Sequence, residues 1–380
     1  MIAFNLVGTQ KNSGTKTFNT NFFKEIVNFN HNEKIIIYVP KFYLSNQSLV
    51  SSDKIKIIVK SELFDNFFIR FIWLQFILPI ELKIKNIKVL FSSSNYSPFL
   101  SKILKIKSVL FIHSVLPWLY FDLMPGNKIK NFFIKKIMEI SIYTSNSIIV
   151  PSNFAKISFI QKLNIDPKKI NVISLGADHI SIKKHNNDKL LNFDYNQKYI
   201  LSVISCVKYH NILNLLKSYK DFLNQTNYKI KFVLVITILD KKYYEILKEF
   251  VKNNFDKEKV IFLPNLENKY LSNIYKNCSL YIFTSYSETF GLTSLEAMHF
   301  GIPLLLSKTS SIYEINGDIP EYFDPDNISE IKNKLVKIFK SKSVSSHLNF
   351  DINKNNKHLK KYLWKNTFND TYEILKKMIT

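Results

Sequence analysis

Two glutamates, Glu288 and Glu296, are the residues of this sequence whose types and placement best suit chemistry. They lie in a segment whose pattern predicts a strand at 280–283, a turn, a helix at 293–300 and a strand at 302–306. Strand, turn, helix and strand form the parallel βαβ unit of an α/β sheet. Glu288 falls in the turn, and Glu296 falls on the helix.

The predicted geometry gives this pair of carboxylates a use. In an open α/β sheet, ligands bind beyond the carboxyl ends of the strands, beside helix N-termini. A helix that begins near Thr293 points its first N–H groups and its positive dipole end there, which suits a phosphate. Glu288 could then reach a polar group beside that phosphate, Glu296 could accept hydrogen bonds from a diol, and Gly291 allows close backbone approach. A sugar, a diphosphate and a ribose laid end to end match these features.

The same segment resembles the E-x(7)-E signature of the retaining glycosyltransferases of family 4, which have the GT-B fold. The matching residues are Ser285, Glu288, Phe290, Gly291, Leu292, Leu295, Glu296, Ala297, Met298, Gly301 and Pro303. The chain departs from the signature at Thr284, Thr289, Thr293 and His299, and none of these changes removes a carboxylate. The resemblance implies that Glu288 orients the donor sugar and that Glu296 grips the ribose. It also assigns Phe290, Gly291, Leu292 and Thr293 to the donor site.

Two residues of the N-terminal half are further candidates. His113 ends a predicted strand at 108–113, and the family commonly has a histidine there, beside the donor sugar, followed by an aspartate where this chain has Ser114. A hydrogen-bonded structural histidine is the alternative. Gly14 lies in the turn before the first predicted helix, where the family usually has two adjacent glycines near the donor phosphates. An ordinary turn is the alternative for Gly14.

The segment 205–211 follows the first strand of the second predicted domain, where the family carries cations that hold the diphosphate. Alignment on Asn211 puts His210 at the usual lysine and Tyr209 at the usual arginine. We assign Lys208 to the leaving diphosphate, with His210 beside it. A solvated lysine in a lysine-rich chain is the alternative for Lys208.

Alternating strand and helix patterns predict an α/β fold with doubly wound parallel sheets. The resemblance implies the GT-B arrangement, in which two Rossmann-like domains face each other across a cleft. The predicted domains are an acceptor-binding domain at 1–180 and a nucleotide-sugar-binding domain at 181–360. A C-terminal helix at 361–380 is expected to cross back to the first domain.

Composition excludes several classes of protein. The net charge is +23, almost entirely from lysine, because Arg70 is the single arginine. No zinc-finger pattern, RNA-recognition string or arginine cluster accompanies that charge, so nucleic acid is not the expected partner. Cys206 and Cys278 lack metal-ligand spacing and indicate a reducing compartment. We expect no metal and no cofactor. The absence of a basic, apolar leader and of a membrane-spanning run predicts a cytoplasmic location, with the inner membrane face as a further option.

The resemblance implies a retaining enzyme that moves a hexose, of mannose or glucose type, from a nucleotide diphosphate sugar to a glycan or lipid-linked acceptor. Three alternatives stay open. An epimerase of GT-B fold would share the architecture but not the glutamate segment. A dinucleotide-dependent oxidoreductase would need G-x-G-x-x-G after a strand, which the first strand lacks. A non-catalytic module of the same fold would bind the nucleotide sugar without turnover.

An anionic membrane surface is a further expected partner of the first domain. Residues 54–107 mix nine lysines with the aromatic residues Phe67, Phe68, Phe71, Trp73 and Phe76. Residues 128–138 combine four more lysines with Phe132 and Phe133. Basic aromatic helices suit a membrane interface. The alternative is that the aromatic rings form core and that the lysines reflect the composition of the genome.

Overall fold

The computed structural model describes residues 1–8, 14–30, 32–43, 53–180, 198–226, 228–340 and 351–379, apart from the side chains of Phe42 and Asn268. Residues 181–197, with which the second predicted domain begins, and residues 341–350 of the same domain lie outside the described residues. The chain divides into two compact units. The first comprises Met1–Leu119, Ile129–Gly176 and Leu363–Thr380, and the second comprises Tyr120–Lys128 and Ala177–Tyr362. Residues 120–128, expected in the first domain, therefore group with the second unit.

The first unit is built on a sheet of seven parallel strands in the order β3-β2-β1-β4-β5-β6-β7. The strands are β1 Ile2–Asn5, β2 Ile35–Pro40, β3 Ile55–Lys60, β4 Val89–Ser92, β5 Lys107–Phe111, β6 Ser147–Val150 and β7 Ile170–Val172. The helices in this part of the chain are α1 Gly14–Asn28, α2 Phe67–Ile72, α3 Leu78–Ile84, α4 Leu100–Ile103, α5 Leu116–Leu119, α6 Lys128–Thr144 and α7 Asn153–Leu163. A π-helical turn, Trp73–Ile77, joins α2 to α3. The central strands are continuous apolar runs because both faces of a parallel sheet are covered.

The second unit repeats this plan with six parallel strands in the order β10-β9-β8-β11-β12-β13. The strands are β8 Tyr199–Cys206, β9 Lys231–Ile238, β10 Val260–Pro264, β11 Leu280–Phe283, β12 Leu304–Ser307 and β13 Glu321–Phe323. The helices are α8 Ile212–Gln225, α9 Lys241–Asn254, α10 Leu271–Asn277, α11 Leu292–His299, α12 Ser310–Asn316, α13 Ile328–Lys340 and α14 Ile352–Leu359. Short 3-10 turns include Phe121–Leu123, Lys208–His210 and Asn268–Tyr270. The predicted doubly wound α/β fold is confirmed for both units.

Each sheet has a point at which its strand order reverses. In the first unit it lies between β1 and β4, and in the second it lies between β8 and β11. At such a point the helices that follow the two strands leave toward opposite faces of the sheet, so the carboxyl ends of the strands border a crevice. The expected ligand position in each unit is therefore fixed by topology before any side chain is considered.

The last helix, α15 Trp364–Ile379, belongs to the first unit although the second unit precedes it in sequence. Its buried aromatic face packs on α1, where Phe22 contacts Phe368 edge-to-face at 5.4 Å between ring centroids. The Thr367 hydroxyl donates a hydrogen bond of 2.8 Å to the carbonyl of Ser174, close to the point where the chain leaves the first unit. The predicted return of the C-terminal helix to the first domain matches this packing.

Gly176 is packed against the backbone that begins α15. A Cβ atom added at this glycine would lie 2.2 Å from the backbone nitrogen of Trp364 and 2.6 Å from its Cα. Those atoms are anchored by Thr367 and by the buried Trp364 ring, so they cannot move aside as a flexible side chain would. Glycine is therefore required here for close approach of two segments of chain.

We expect Gly176→Ala to lower the free energy of unfolding by about 3 kcal/mol, because overpacking against backbone is poorly relieved. A circular dichroism melt at matched concentration measures the effect. Gly14→Ala is the matched control, since a Cβ there meets nothing within 4 Å. Equal melting temperatures for Gly176→Ala and the unmodified chain would contradict this packing.

Candidate active site

The second unit brings His210 and Glu288 together at the point where its strand order reverses. The 3-10 turn Lys208–His210 follows β8, and the loop that holds Glu288 follows β11, the neighbouring strand. His210 Nε2 lies 3.0 Å from Glu288 Oε1, with the histidine side chain buried and the glutamate partly exposed. Two segments that are far apart in sequence thus place an imidazole and a carboxylate in contact at the expected ligand position.

Both ring nitrogens of His210 face hydrogen-bond acceptors. Nδ1 lies 2.7 Å from the carbonyl oxygen of Ser205, and Nε2 faces the Glu288 carboxylate. Neither partner has a proton to donate, because a carbonyl and an ionised carboxylate only accept. The two contacts therefore fix the orientation of the imidazole and hold it against Glu288.

The backbone of Glu288 is held by the start of α12. Its N–H donates to Ser310 Oγ at 2.8 Å, and its carbonyl accepts a hydrogen bond of 2.8 Å from Ser311 Oγ. Ser310 has a positive φ of 49°, which is uncommon for a residue with a side chain. The sequence analysis did not identify these serines, although Ser310-Ser311 at the start of a helix was a visible signal of hydroxyl groups near the carboxyl ends of the strands.

Glu296 lies inside α11 with only 5% of its surface exposed, yet both of its carboxylate oxygens are hydrogen bonded. Oε2 accepts from the Tyr275 hydroxyl at 2.9 Å, and Oε1 lies 3.1 Å from His179 Nε2. Burial, followed by the negative charge of Glu296, raises the pKa of Tyr275 well above its ordinary value, so the hydroxyl stays a donor. Neither partner was predicted from the sequence, because Tyr275 and His179 both lie outside the segment that resembles the family signature.

The N-terminus of α11 is shaped by Gly291, the residue that precedes it. Gly291 has a φ of +82°, and an added Cβ would lie 2.8 Å from Ile312 Cδ1, so only glycine suits this position. Thr293 Oγ1 accepts a hydrogen bond of 2.8 Å from the Tyr281 hydroxyl. Leu292 is partly buried, while the Phe290 ring is buried against Tyr362 at 5.7 Å between ring centroids. Of the four predicted donor-site residues, Phe290 therefore packs its side chain into the unit.

Lys208 begins the 3-10 turn that ends at His210, and its side chain is exposed. Lys208 and His210 thus differ in exposure. Both ring nitrogens of the buried His210 contact protein oxygens, whereas Lys208 is exposed to solvent at the same strand end.

Metal ions are held in proteins by clusters of His, Cys, Asp and Glu side chains. The portion of the chain that the structure describes contains no group of three or more His, Cys, Asp or Glu side chains that could hold a metal ion. One Asp-x-Asp pair, Asp324 and Asp326, follows β13. Asp326 accepts a hydrogen bond of 2.6 Å from the Tyr286 hydroxyl, and Asp324 accepts one of 3.0 Å from the Asp326 backbone.

The first unit places His113 at the carboxyl edge of its own sheet, one strand beyond the reversal point between β1 and β4. His113 lies just beyond β5, and its Nε2 donates a hydrogen bond of 2.6 Å to the carbonyl of Ser93, the residue after β4. Its ring packs against Phe111 and Phe18, at 4.6 and 4.9 Å between ring centroids. Gly14 is the first residue of α1 and is exposed. The predicted position of His113 at a strand end is borne out, and the bond to Ser93 also fits the structural alternative.

Burial among these aromatic rings lowers the pKa of His113 to about 4, while the hydrogen bond to Ser93 acts in the opposite direction. The ring is therefore neutral near pH 7, with Nε2 carrying its proton. Because the unfolded chain takes up a proton near the ordinary histidine pKa of about 6.5, stability from this group is lost as the pH falls from about 6.5 toward 4. The loss amounts to at most about 3 kcal/mol, since the ring keeps some contact with solvent.

We expect His113→Gln to flatten the dependence of melting temperature on pH between about 6.5 and 4, because the variant has no imidazole to protonate in the unfolded state. Gln keeps an N–H for the Ser93 carbonyl. Melts recorded across that range measure the slope. The control is His358→Gln, which removes a less buried histidine with a similar bond to the carbonyl of Ile315 and should change the slope less. An unchanged slope in His113→Gln would show that His113 is not held neutral.

Comparison with curated proteins finds distant relatives among enzymes of surface polysaccharide synthesis. The chain is 23% identical over 237 residues to the serotype-specific mannosyltransferase WbdA of Escherichia coli, a match that covers 61% of this chain and 29% of that protein. It is 22% identical over 255 residues to the O-antigen chain mannosyltransferase RfbU of Salmonella typhimurium, covering 67% and 65% respectively. The matches thus span less than two thirds of the length of these relatives.

Two comparisons with solved structures agree on the fold. The Anabaena protein Alr3699/HepE, crystallised with UDP and glucose, aligns with a TM-score of 0.72 at 15% identity, covering 99% of each chain. A glycosyltransferase from Rickettsia africae aligns with a TM-score of 0.68 at 16% identity, covering 100% of this chain and 98% of that one. At these identities the likeness shows the GT-B fold alone. Family models settle the membership: residues 183–358 match glycosyl transferases group 1, and residues 21–180 match glycosyltransferase family 4. The chain belongs to the family 4, group 1 glycosyltransferases.

Proposed function

We propose that the chain is a retaining hexosyltransferase. It moves a mannose-type or glucose-type hexose from a nucleotide diphosphate sugar to a hydroxyl of a glycan or lipid-linked acceptor, in the synthesis of cell-surface polysaccharide or glycolipid. The observation that carries this proposal is the placement of Glu288 and Glu296 on one strand–turn–helix unit at the reversal point of the second sheet. The mannosyltransferase relatives and the sugar-bound Anabaena structure support the class of donor.

Each part of the donor has a matching group in the second unit. The buried Glu296 carboxylate, fixed by Tyr275 and His179, is the acceptor for the two ribose hydroxyls. The N–H groups at the start of α11 offer positive charge to the diphosphate. Glu288, held by the imidazole of His210, faces the sugar hydroxyls.

The two basic residues act differently in this proposal. Both ring nitrogens of His210 face Ser205 and Glu288, so His210 positions Glu288 without touching the phosphate. The exposed ammonium of Lys208 supplies the direct contact with the leaving diphosphate. Stabilising charge that develops on a leaving group is often the largest contribution to rate.

The reaction proceeds on one face of the sugar. The acceptor oxygen bonds to the anomeric carbon on the face from which the diphosphate departs, so the configuration is retained. The bond from the anomeric carbon to the phosphate oxygen breaks, and the diphosphate takes the acceptor's proton. The protein chiefly positions the two substrates and stabilises the departing charge. No metal or cofactor enters this sequence of steps.

The proposed location is the cytoplasm, at the inner membrane face where lipid-linked acceptors would be met. The donor partner is a nucleotide diphosphate sugar, and nucleic acid has no role.

A panel of nucleotide sugars tests the proposal. We expect one donor to raise the melting temperature, because a ligand that binds only the folded chain stabilises it. The same donor should transfer its sugar with retained anomeric configuration when an extract of glycan and lipid-linked acceptors is supplied. Stabilisation without transfer or donor hydrolysis would indicate the non-catalytic alternative, and epimerised sugar nucleotide would indicate the epimerase.

Replacement of each glutamate should change a different kinetic constant. Glu296→Gln should raise KM for the donor about tenfold with little change in kcat, because ribose contacts are alike in the ground and transition states. Glu288→Gln should lower kcat at least about tenfold, because the carboxylate orients the reacting sugar. Steady-state kinetics with the identified donor separates the two constants.

Glu321→Gln is the matched control for both variants. Glu321 lies in the same unit, in β13, and is paired with Lys334 at 2.9 Å. Its replacement should leave KM and kcat unchanged. A collapse of kcat at constant KM in Glu296→Gln would remove the ribose role, and full activity in Glu288→Gln would remove that residue from the site.

A further inference from the structure

The helical stretch 67–84 of the first unit exposes a row of large apolar side chains. They recur at every fourth position and are between 47% and 76% exposed: Phe68, Ile72, Phe76, Ile80 and Ile84. We name this row the apolar stripe. It runs for roughly 24 Å at the rise of an α-helix. Ile69 and Ile77, at 40% and 53% exposed, widen it. Contiguous exposed apolar surface of this extent marks an interaction site in soluble proteins.

The opposite face of the same helical stretch already provides the core. Trp73, Leu74, Leu78 and Leu82 are buried in one hydrophobic cluster of the first unit. The stripe is therefore additional apolar surface that the core does not use. The π turn Trp73–Ile77 contributes to its continuity, because a wider turn offsets the angular drift of a four-residue repeat on a 3.6-residue helix.

This distribution corrects part of the sequence interpretation. Of the aromatic residues expected at a membrane, Trp73 is core, whereas Phe68 and Phe76 are exposed. Helix α6 behaves similarly, since Phe132 and Phe133 are 49% and 60% exposed. The alternative in which the aromatic rings form core therefore fits Trp73, but not Phe68, Phe76, Phe132 or Phe133.

A cluster of lysines lies at the C-terminal end of the stripe. A cavity of about 350 Å³ is lined by Lys83, Lys88, Lys105 and Lys107. Lys83 directly precedes Ile84 of the stripe, and its ammonium lies 3.5 Å from the carbonyl of Leu104, which ties α3 to the 100–107 segment. None of the four lysines has a carboxylate partner among the described residues. The cavity therefore concentrates positive charge beside apolar surface.

We propose that the apolar stripe and the lysine cavity form a docking surface for an anionic lipid bilayer. The stripe would enter the boundary between headgroups and acyl chains, and the lysines would meet lipid phosphates. Charge complementarity selects this occupant, since an apolar helix face flanked by lysines is the pattern of interfacial helices. Among the described helices, none combines the length and apolar character needed to cross a bilayer, so the contact is with the surface. The inference does not depend on the transferase activity.

Vesicle co-sedimentation of the full chain tests the proposal. Binding to phosphatidylcholine vesicles should rise with the fraction of phosphatidylglycerol and fall as salt is added. The double variant Phe68→Ser with Ile80→Ser should bind anionic vesicles about tenfold more weakly, by loss of apolar contact. Replacement of Lys88, Lys105 and Lys107 by Gln should also lower binding by about tenfold or more.

The matched control replaces Leu239 and Ile246 of the second unit by Ser, since both are singly exposed apolar residues at 42% and 48%. This control should bind like the unmodified chain, and circular dichroism melts should show that every variant is folded. Equal, negligible binding to neutral and anionic vesicles at low salt would overturn the proposal. Binding that is lost in the lysine variant but kept in the stripe variant would also overturn the proposal. Self-association without lipid that the stripe variant abolishes would instead make the stripe an interface between copies.

Discussion

The hydrogen bond between His210 and Glu288 is the interaction on which the candidate active site depends. It connects the segments that follow β8 and β11, the two strands at which the order of the second sheet reverses. Parallel strands bring their carboxyl ends to one edge, so the topology sets the place and the side chains supply the charge. Because the carbonyl of Ser205 faces the other ring nitrogen, the imidazole is fixed in orientation against Glu288. The carboxylate is thus oriented before any substrate binds.

Glu296 illustrates the energetic problem that the site has to solve. A carboxylate that is almost entirely removed from water is costly unless hydrogen bonds offset the loss of hydration. Tyr275 from α10 and His179 from the segment before the second sheet supply those hydrogen-bond partners. The arrangement leaves a preorganised acceptor inside the unit, which is the property that a ribose-binding group requires. Replacement by a neutral isostere therefore probes binding more than folding.

Sequence reasoning succeeded where a local pattern determines the structure. The helix α11 and the placement of Glu288 in the loop before it and of Glu296 on it follow from residues within one short segment. It failed where partners come from distant segments: His179, Tyr275 and Ser310 reach the glutamates only through the order of strands in the sheet. Phe290 was assigned to the donor site by resemblance, yet its ring packs on Tyr362. The division of the aromatic residues in 67–84 between core and surface also needed the structure, because the π turn changes which positions face outward.

We propose that the second unit holds a nucleotide diphosphate sugar across Glu288, the start of α11 and Glu296. A crystal structure of the chain with the donor, or with the corresponding nucleoside diphosphate, would show where the nucleotide binds. We expect ribose hydroxyls within hydrogen-bond distance of the Glu296 carboxylate and diphosphate oxygens at the N–H groups that follow Gly291. A nucleotide bound elsewhere, with Glu296 still contacting only His179 and Tyr275, would contradict it.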